Sequence, residues 1–350
     1  RTLDDIFAIQ NEIAAAVVDE LKLTLLGGTP LTDQIDPEAF ALYLRAMYLS
    51  QRGTAEGYEQ SVLLLKQVLA IAPNYARAWR GLGANYINQV GRGLLSVDEG
   101  SALAREAIGM ALSLDPDFAL AHSSLGWMAM TYEGDLETAA RHFEHALSLD
   151  PTNLVVIMES ADLMKKLGRL DDCILLLEHV SNRDPVNPTT HSNLGTAYLW
   201  AGRFDEAIAS MRTTLTLSPA RFRVHYRISE ALLHKGEPEA ALEEIMNEPM
   251  EGFLLIGQAL TYHALGRDAE ANTALDTLIE KYERDAPYNI AYVYAFRGEA
   301  DNAFAWLSEA IEHKDPGLHN VGVNSLFANL YDDPRWLPFL EQIGKSPDKL

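Results

Sequence analysis

The 350-residue sequence holds one cysteine, Cys173, so no disulfide can form within the chain and no zinc site can be built from thiolates. Such cysteine usage fits a reducing compartment. Basic residues are also scarce: 28 Lys and Arg stand against 50 Asp and Glu, a formal charge of −22. That average surface repels a nucleic-acid backbone and an anionic membrane, and leaves basic or neutral proteins as easier partners. Long apolar runs are missing as well. "VLLL" (62–65) and "LVVIM" (154–158) fall far short of the ~18 residues needed to cross a bilayer, so no membrane insertion is expected. Nor does the chain contain G-x-x-x-x-G-K-[ST], H-E-x-x-H or G-x-S-x-G. The sequence therefore points away from an enzyme.

What is abundant is apolar material, 48% against 22% charged, which suits a folded core rather than disorder. It is also periodic. Prolines recur at Pro37, Pro73, Pro116, Pro151, Pro185 and Pro219, and the last five close the phrases "LAIAP", "LSLDP", "LSLDP", "SNRDP" and "LTLSP". Proline lacks an amide donor and biases the residue before it out of the helical region, so each phrase reads as a helix end. Between prolines, apolar residues recur at three- and four-residue steps in two stretches joined by turns such as "KLGRL", "WAGRF" and "HALGR". Each unit is thus a helical hairpin. Within it Gly195 and Ala207 are small where the two helices must approach, while Leu194, Tyr198 and Met211 supply bulk around that crossing. Leu82, Gly83 and Tyr86 hold the same places in one unit, and Leu125, Gly126, Ala139, Phe143 and Ala146 in another; Cys173 stands where alanine is usual. A hairpin of this kind cannot bury its apolar face until a neighbour stacks on it.

These phrases resemble the tetratricopeptide repeat, an antiparallel helix pair of about 34 residues. Trp79, Leu82, Gly83 and Tyr86, and the later "HSNLGTAYLWAGRFDEAI", carry the likeness, which is strong from 74 to 219 and weaker beyond, where Gly266, Ala271, Gly298 and Ala303 keep the small positions. The resemblance implies an all-α, right-handed superhelical solenoid of about eight hairpins over 38–316. Their expected limits are 38–73, 74–116, 117–151, 152–185, 186–219, 220–250, 251–284 and 285–316. In the second unit "VGRGLLSVDEGSA" is expected to insert about nine residues at the hairpin turn.

The ends differ from the repeats. "LDDIFAIQNEIAAAVVDELKLTLL" (3–26) places Leu3, Ile6, Phe7, Ile13, Val17, Leu21 and Leu25 on one side of a helix, which either caps the first repeat or links to an upstream domain; residues 1–28 form this segment. "GGTPLTDQIDP" (27–37) reads as a loop. At 317–350, an aromatic-rich helix within "NSLFANLYDDPRWLPFLEQIG" is expected to cover the last hairpin, followed by a loose tail. The "DDIFAIQNEIAAAVVDEL" phrase, the lengthened second repeat and the terminal "DDPRWLPFLEQIG" together resemble the C-terminal arm of bacterial multidomain regulators, where a TolB-like segment leads into tetratricopeptide repeats. In that family the upstream module is often an adenylate cyclase or a winged-helix domain, and any cyclase activity would lie there.

Chemistry is sparse. His142 and His145 stand three apart with Glu144 between them, a metal-like spacing without an evident third ligand, so no metal and no cofactor is expected. The better candidates are side chains of the first helices that packing does not consume: Arg77, Arg80, Trp127, Met158, Asp162, Asn193, Thr196, Arg223, Tyr226, Arg227, Tyr288 and Tyr292. Repeats that grip the carboxylate of heat-shock chaperone tails use Lys and Asn, then Asn, then Lys and Arg one turn apart. Asn193, Arg223 and Arg227 match the last three positions in type; Met158 and Asp162 depart from the first two. The resulting expectation is a non-enzymatic scaffold that binds a protein or peptide in its concave groove, as the docking or sensing arm of a larger signalling or transcriptional regulator. A self-association module forming a homodimer, or a small-molecule sensor, are the alternatives. A cytoplasmic location is expected, or a periplasmic one behind an upstream transmembrane helix. Reversing Arg223 and Arg227 to glutamate is expected to weaken partner capture at little cost in stability.

Overall fold

In a computed structural model, residues 35–345 are described; the expected helix at 3–26 and most of the loop after it lie outside them. Among the described residues the chain is helical throughout, without strands. It divides into two compact units, Arg1–Glu159 and Ser160–Leu350.

The first unit contains α1 (Pro37–Gln51), α2 (Ala55–Ile71), α3 (Ala76–Gly91), α4 (Val97–Leu114), α5 (Ala119–Met128, continued by a π-helical turn Ala129–Glu133) and α6 (Leu136–Leu149). α1 pairs with α2, α3 with α4 and α5 with α6, while α2 packs on α3 and α4 on α5. Side-chain caps set the starts. Asp36 Oδ1 accepts from the amide of Glu38 (2.8 Å), Thr54 Oγ1 from that of Gly57 (3.1 Å) and Asp135 Oδ1 from that of Thr138 (2.9 Å). Each satisfies an amide that the helix itself leaves without a partner.

Helix α7 (Leu154–Lys166) crosses the divide between the units. The second unit continues with α8 (Leu170–Arg183), α9 (Pro188–Trp200), α10 (Phe204–Leu217), α11 (Val224–His234), α12 (Pro238–Ile245), α13 (Glu251–Ala264), α14 (Asp268–Tyr282), α15 (Pro287–Phe296) and α16 (Ala300–Glu312). Here α9 pairs with α10, α11 with α12, α13 with α14 and α15 with α16. Their turns need a left-handed residue, supplied by glycine as at Gly202 (φ 74°) and Gly236 (φ 75°).

The small-residue pattern does the packing expected of it. A methyl on Gly83 would lie 2.7 Å from Ile108 Cγ1, and one on Gly195 would lie 2.9 Å from Met211 Cε, closer than carbon atoms tolerate. Ala139, Ala207 and Cys173 are buried at equivalent crossings, and burial pushes the Cys173 thiol up to about 12. A recurrent bond was not anticipated. Trp79 Nε1 donates to the carbonyl of Pro73 (2.8 Å), and the Nε2 atoms of His122 and His191 lie 2.9 Å from the carbonyls of Pro116 and Pro185. Six residues after each of these closing prolines, a ring nitrogen ties the start of the next hairpin to the end of the last.

Two expectations change. Only part of the extra sequence of the second hairpin enlarges its turn, which occupies 92–96 where that of the α9–α10 hairpin occupies 201–203; most of it extends α3 and α4, where Ser96 caps α4 by accepting from Glu99 N (3.2 Å). The C-terminal cover is mostly not an α-helix. It consists of 3-10 turns at Pro316–Asn320 and Ser325–Leu330 and a short α17 (Trp336–Gln342). Asp315 and Asn324 cap the two turns, and Pro334, lacking an amide, prevents a continuous helix between the second turn and α17. Phe327, Trp336 and Phe339 nonetheless stack in series, with ring centroids 5.8 and 6.0 Å apart, and Phe327 rests against Tyr288 of α15.

Candidate functional site

In the first unit the amino-terminal turn of α3 and the junctions leading into α5 and α7 surround a cleft of about 410 Å³. Arg77, Arg80 and Gly81 line one side, with Tyr43 from α1; Asp115, Asp117 and Phe118 line another; Leu149, Asp150 and Asn153 close the third. Asp150 is already engaged, accepting from Asn153 Nδ2 at 2.9 Å. The arginines are not. Arg77 is exposed, Arg80 is half-buried with its Nε lacking a hydrogen-bond partner, and neither enters an ion pair among the described residues. Burial raises the Tyr43 hydroxyl above its usual range, against the pull of the Arg80 and Arg77 charges. An unpaired guanidinium fork in a partly enclosed recess suits a carboxylate or another planar acceptor. Phe118, Leu120 and Leu149 add apolar surface beside it. Trp127, by contrast, is half-buried against the core of this unit.

The second unit treats its groove residues differently. Arg223, Tyr226, Arg227 and Glu230 form one stripe along α11. Arg227 is 6% exposed and Glu230 1%; Arg227 Nη1 donates to Glu230 Oε2 at 2.6 Å, and the guanidinium lies 5.4 Å from the ring centres of both Trp200 and Tyr226. Burial works against the Arg227 charge, but the facing Glu230 carboxylate outweighs it and holds the group above its ordinary range. Tyr226 and Tyr292 are buried with their hydroxyls 3.1 Å apart; Asn289 Nδ2 donates to Tyr292 (2.7 Å) and Asn324 Nδ2 to Tyr288 (2.9 Å). These are core side chains. The expectation that Arg227 can be reversed cheaply is therefore corrected: its burial and its pairing with Glu230 make it part of the interior.

Arg223 remains open to solvent, stacked 5.0 Å from the Phe253 ring centre. Its backbone is left-handed (φ 70°), held there by buried Glu248, which accepts from the Arg223 amide at 2.8 Å and from the Tyr226 amide at 3.2 Å. Asn193 and Thr196 are half-buried on α9, and Asp162 is paired with Lys165.

Sequence reading found Arg77 and Arg80 but missed Tyr43, Asp115, Asp117 and Asn153. For Asp115 the signal was the "LDP" closure, which recurs at Asp150 and places an acid at each of these two junctions. It also missed His122, whose ring packs on those of His142 (6.1 Å) and His145 (4.4 Å). Burial and the surrounding His122, Arg141, His145 and Arg105 lower the His142 pKa. Among the described residues no group of three or more His, Cys, Asp or Glu is arranged to hold a metal ion, and no helix is long and apolar enough to cross a membrane.

Comparison with known proteins agrees with this architecture. Models of the tetratricopeptide repeat match residues 130–197, 192–248 and 254–284. The chain is 31% identical over 117 residues to "Putative adenylate cyclase 3" of Rhizobium meliloti (strain 1021), a match covering 31% of this chain and 20% of that protein. The chain thus spans about a fifth of the length of this curated relative. Among solved structures it resembles the human IFIT1 dimer with m7Gppp-AAAA, with a TM-score of 0.58 at 14% identity, covering 88% of this chain and 78% of the other. Pseudomonas aeruginosa PilF aligns with a TM-score of 0.47 at 19% identity, covering 59% and 92%. Scaffolds of this type are generally protein-interaction modules. Hairpins joined by glycine turns, nested through small residues at their crossings and matched by three repeat models, identify the chain as a tetratricopeptide-repeat protein.

Proposed function

We propose that the chain is a non-enzymatic scaffold and that a protein or peptide segment binds in the cleft of its first unit. The observation that carries this reading is the pair Arg77 and Arg80, two cations that enter no ion pair among the described residues, on the wall of a recess of about 410 Å³. A carboxylate on the ligand would face α3, a basic group would face Asp115 and Asp117, and apolar side chains would lie against Phe118, Leu120 and Leu149. Contacts to a surface formed before binding need little reordering. The local match to a putative adenylate cyclase supports placing this scaffold in a larger bacterial signalling protein, as its docking or sensing arm. The IFIT1 structure contains m7Gppp-AAAA, but a formal charge of −22 does not favour phosphate ligands here.

An array of 12-residue peptides of mixed charge tests the reading. Wild-type protein should select peptides carrying an acidic residue or free carboxyl terminus near an apolar one, and Arg77→Glu with Arg80→Glu should weaken the best of them at least tenfold. Unchanged selection by the double variant would overturn it.

A further inference from the structure

The two ends of the described chain are finished differently. At the carboxyl end Phe327, Trp336 and Phe339 are buried, Trp336 to 4% exposure, by the turns and short helix that cover α15. At the amino end α1 carries a bare apolar stripe: Phe40, Leu44 and Tyr48, spaced four apart on one side of the helix, are 43%, 52% and 65% exposed. A solenoid whose terminal hairpin lacks a cover leaves unburied the surface that each inner hairpin buries against its neighbour. Three large apolar side chains in line also exceed the scattered exposure ordinary for a soluble surface.

We propose that residues 3–26 of the same chain dock as a helix on this stripe and cap the first hairpin. The segment has a complementary face: Leu3, Ile6, Phe7, Ile13, Val17, Leu21 and Leu25 fall on one side at helical spacing. Its length is sufficient, since the stripe from Phe40 to Tyr48 runs ~12 Å and a helix over 3–26 would run ~36 Å. The tether is sufficient too. Residues 27–36 contain Gly27, Gly28 and Pro30, and a few such residues reverse an antiparallel helix pair. Charge selects this occupant over a second copy. The segment carries Asp4, Asp5, Glu12, Asp19 and Glu20 against Lys22, whereas the α1 stripe is flanked by exposed Arg45 and Arg52, with the acids Asp36 and Glu38 at its amino end. A second α1 would bring two acids and two arginines, with no net charge to set against Arg45 and Arg52, whereas the 3–26 segment brings a net negative one.

The test uses the full chain. By amide hydrogen exchange, residues 3–26 should exchange at least tenfold more slowly than a free peptide of the same sequence. In Leu44→Glu with Tyr48→Glu they should speed up to the peptide's rate while α3 and α4 keep their protection. Exchange at the free-peptide rate in the wild type, or no acceleration in the variant, overturns the proposal. Separately, Leu44→Cys combined in turn with Phe7→Cys, Ile13→Cys, Val17→Cys and Leu21→Cys is treated with a short bismaleimide. Cys173 is buried and does not compete. At least one pair should cross-link within a monomer. Cross-links only between chains would assign the stripe to a second copy, and an absence of cross-links in all four would exclude contact; either result overturns the docking.

Discussion

Arginine occurs in two settings in this molecule, and the difference between the units shows what separates them. In the first unit Arg77 and Arg80 stand on the opening turns of α3 beside an open cleft, and although Asp115, Asp117 and Asp150 also line it, neither arginine enters an ion pair among the described residues. In the second, Arg227 lies on α11 with Glu230 three residues on, sandwiched by Trp200 and Tyr226 and sealed under buried tyrosines. Helix position and residue type are similar, and the neighbours differ. An internal acid in hydrogen-bond contact and an aromatic lid make Arg227 part of the core; Arg77 and Arg80 have neither contact among the described residues, and their charges stay unpaired. Arg223 stands between the cases, stacked on Phe253 yet open to solvent.

The comparison breaks most readily at Arg227. Arg227→Ala strands the buried Glu230 charge and should cost about 3–5 kcal/mol in urea unfolding, with Arg227→Met plus Glu230→Leu recovering most of it. A loss below ~1 kcal/mol would place Arg227 with the free arginines instead. The second unit should also be the more acid-sensitive. Burial, then the Lys166 and Lys345 charges, push the His319 pKa down to about 4 from its ordinary 6.5. The unfolded chain takes up this proton as pH falls through 6.5, whereas the folded chain resists until about 4. Stability should therefore drop across that window and stay level, for this group, above it. Allowing for the partial exposure of His319, the drop is about 1–2 kcal/mol, and His319→Gln should flatten it in a pH series of thermal melts.

A smaller effect sharpens the contrast. Tyr292→Phe removes the hydroxyl shared by Tyr226 and Asn289, and should cost about 1–2 kcal/mol by the same unfolding assay. Smallest of all, Arg77→Glu with Arg80→Glu should change stability by less than ~1 kcal/mol, because neither arginine enters an ion pair among the described residues. A penalty like that of Arg227→Ala would mean that the cleft arginines are structural too.

Much of the fold was legible in the sequence because it repeats. Pro73, Pro116, Pro151, Pro185 and Pro219 mark helix ends by chemistry that needs no tertiary context, and Gly83, Gly126 and Gly195 report close approach wherever they recur. Candidate site residues were legible by type and register, as at Arg77 and Arg80. What register could not supply was the identity of the neighbour. Glu230 lies one turn from Arg227 in the sequence, but whether that pair is sealed depends on Trp200, Tyr288 and Tyr292, contributed by other hairpins. The extended second hairpin illustrates the same limit, since a run of extra residues reads as a longer turn until Ser96 is seen capping a longer helix.

The difference between bound and buried arginines is tested most directly by a polarisation titration. The best peptide from the array would be titrated against wild-type protein, Arg77→Glu with Arg80→Glu, and Arg223→Glu. The expected result is at least tenfold weaker binding for the double variant and a change within twofold for Arg223→Glu. The reverse ranking, with the first-unit variant binding as wild type does and the α11 variant failing, would contradict it.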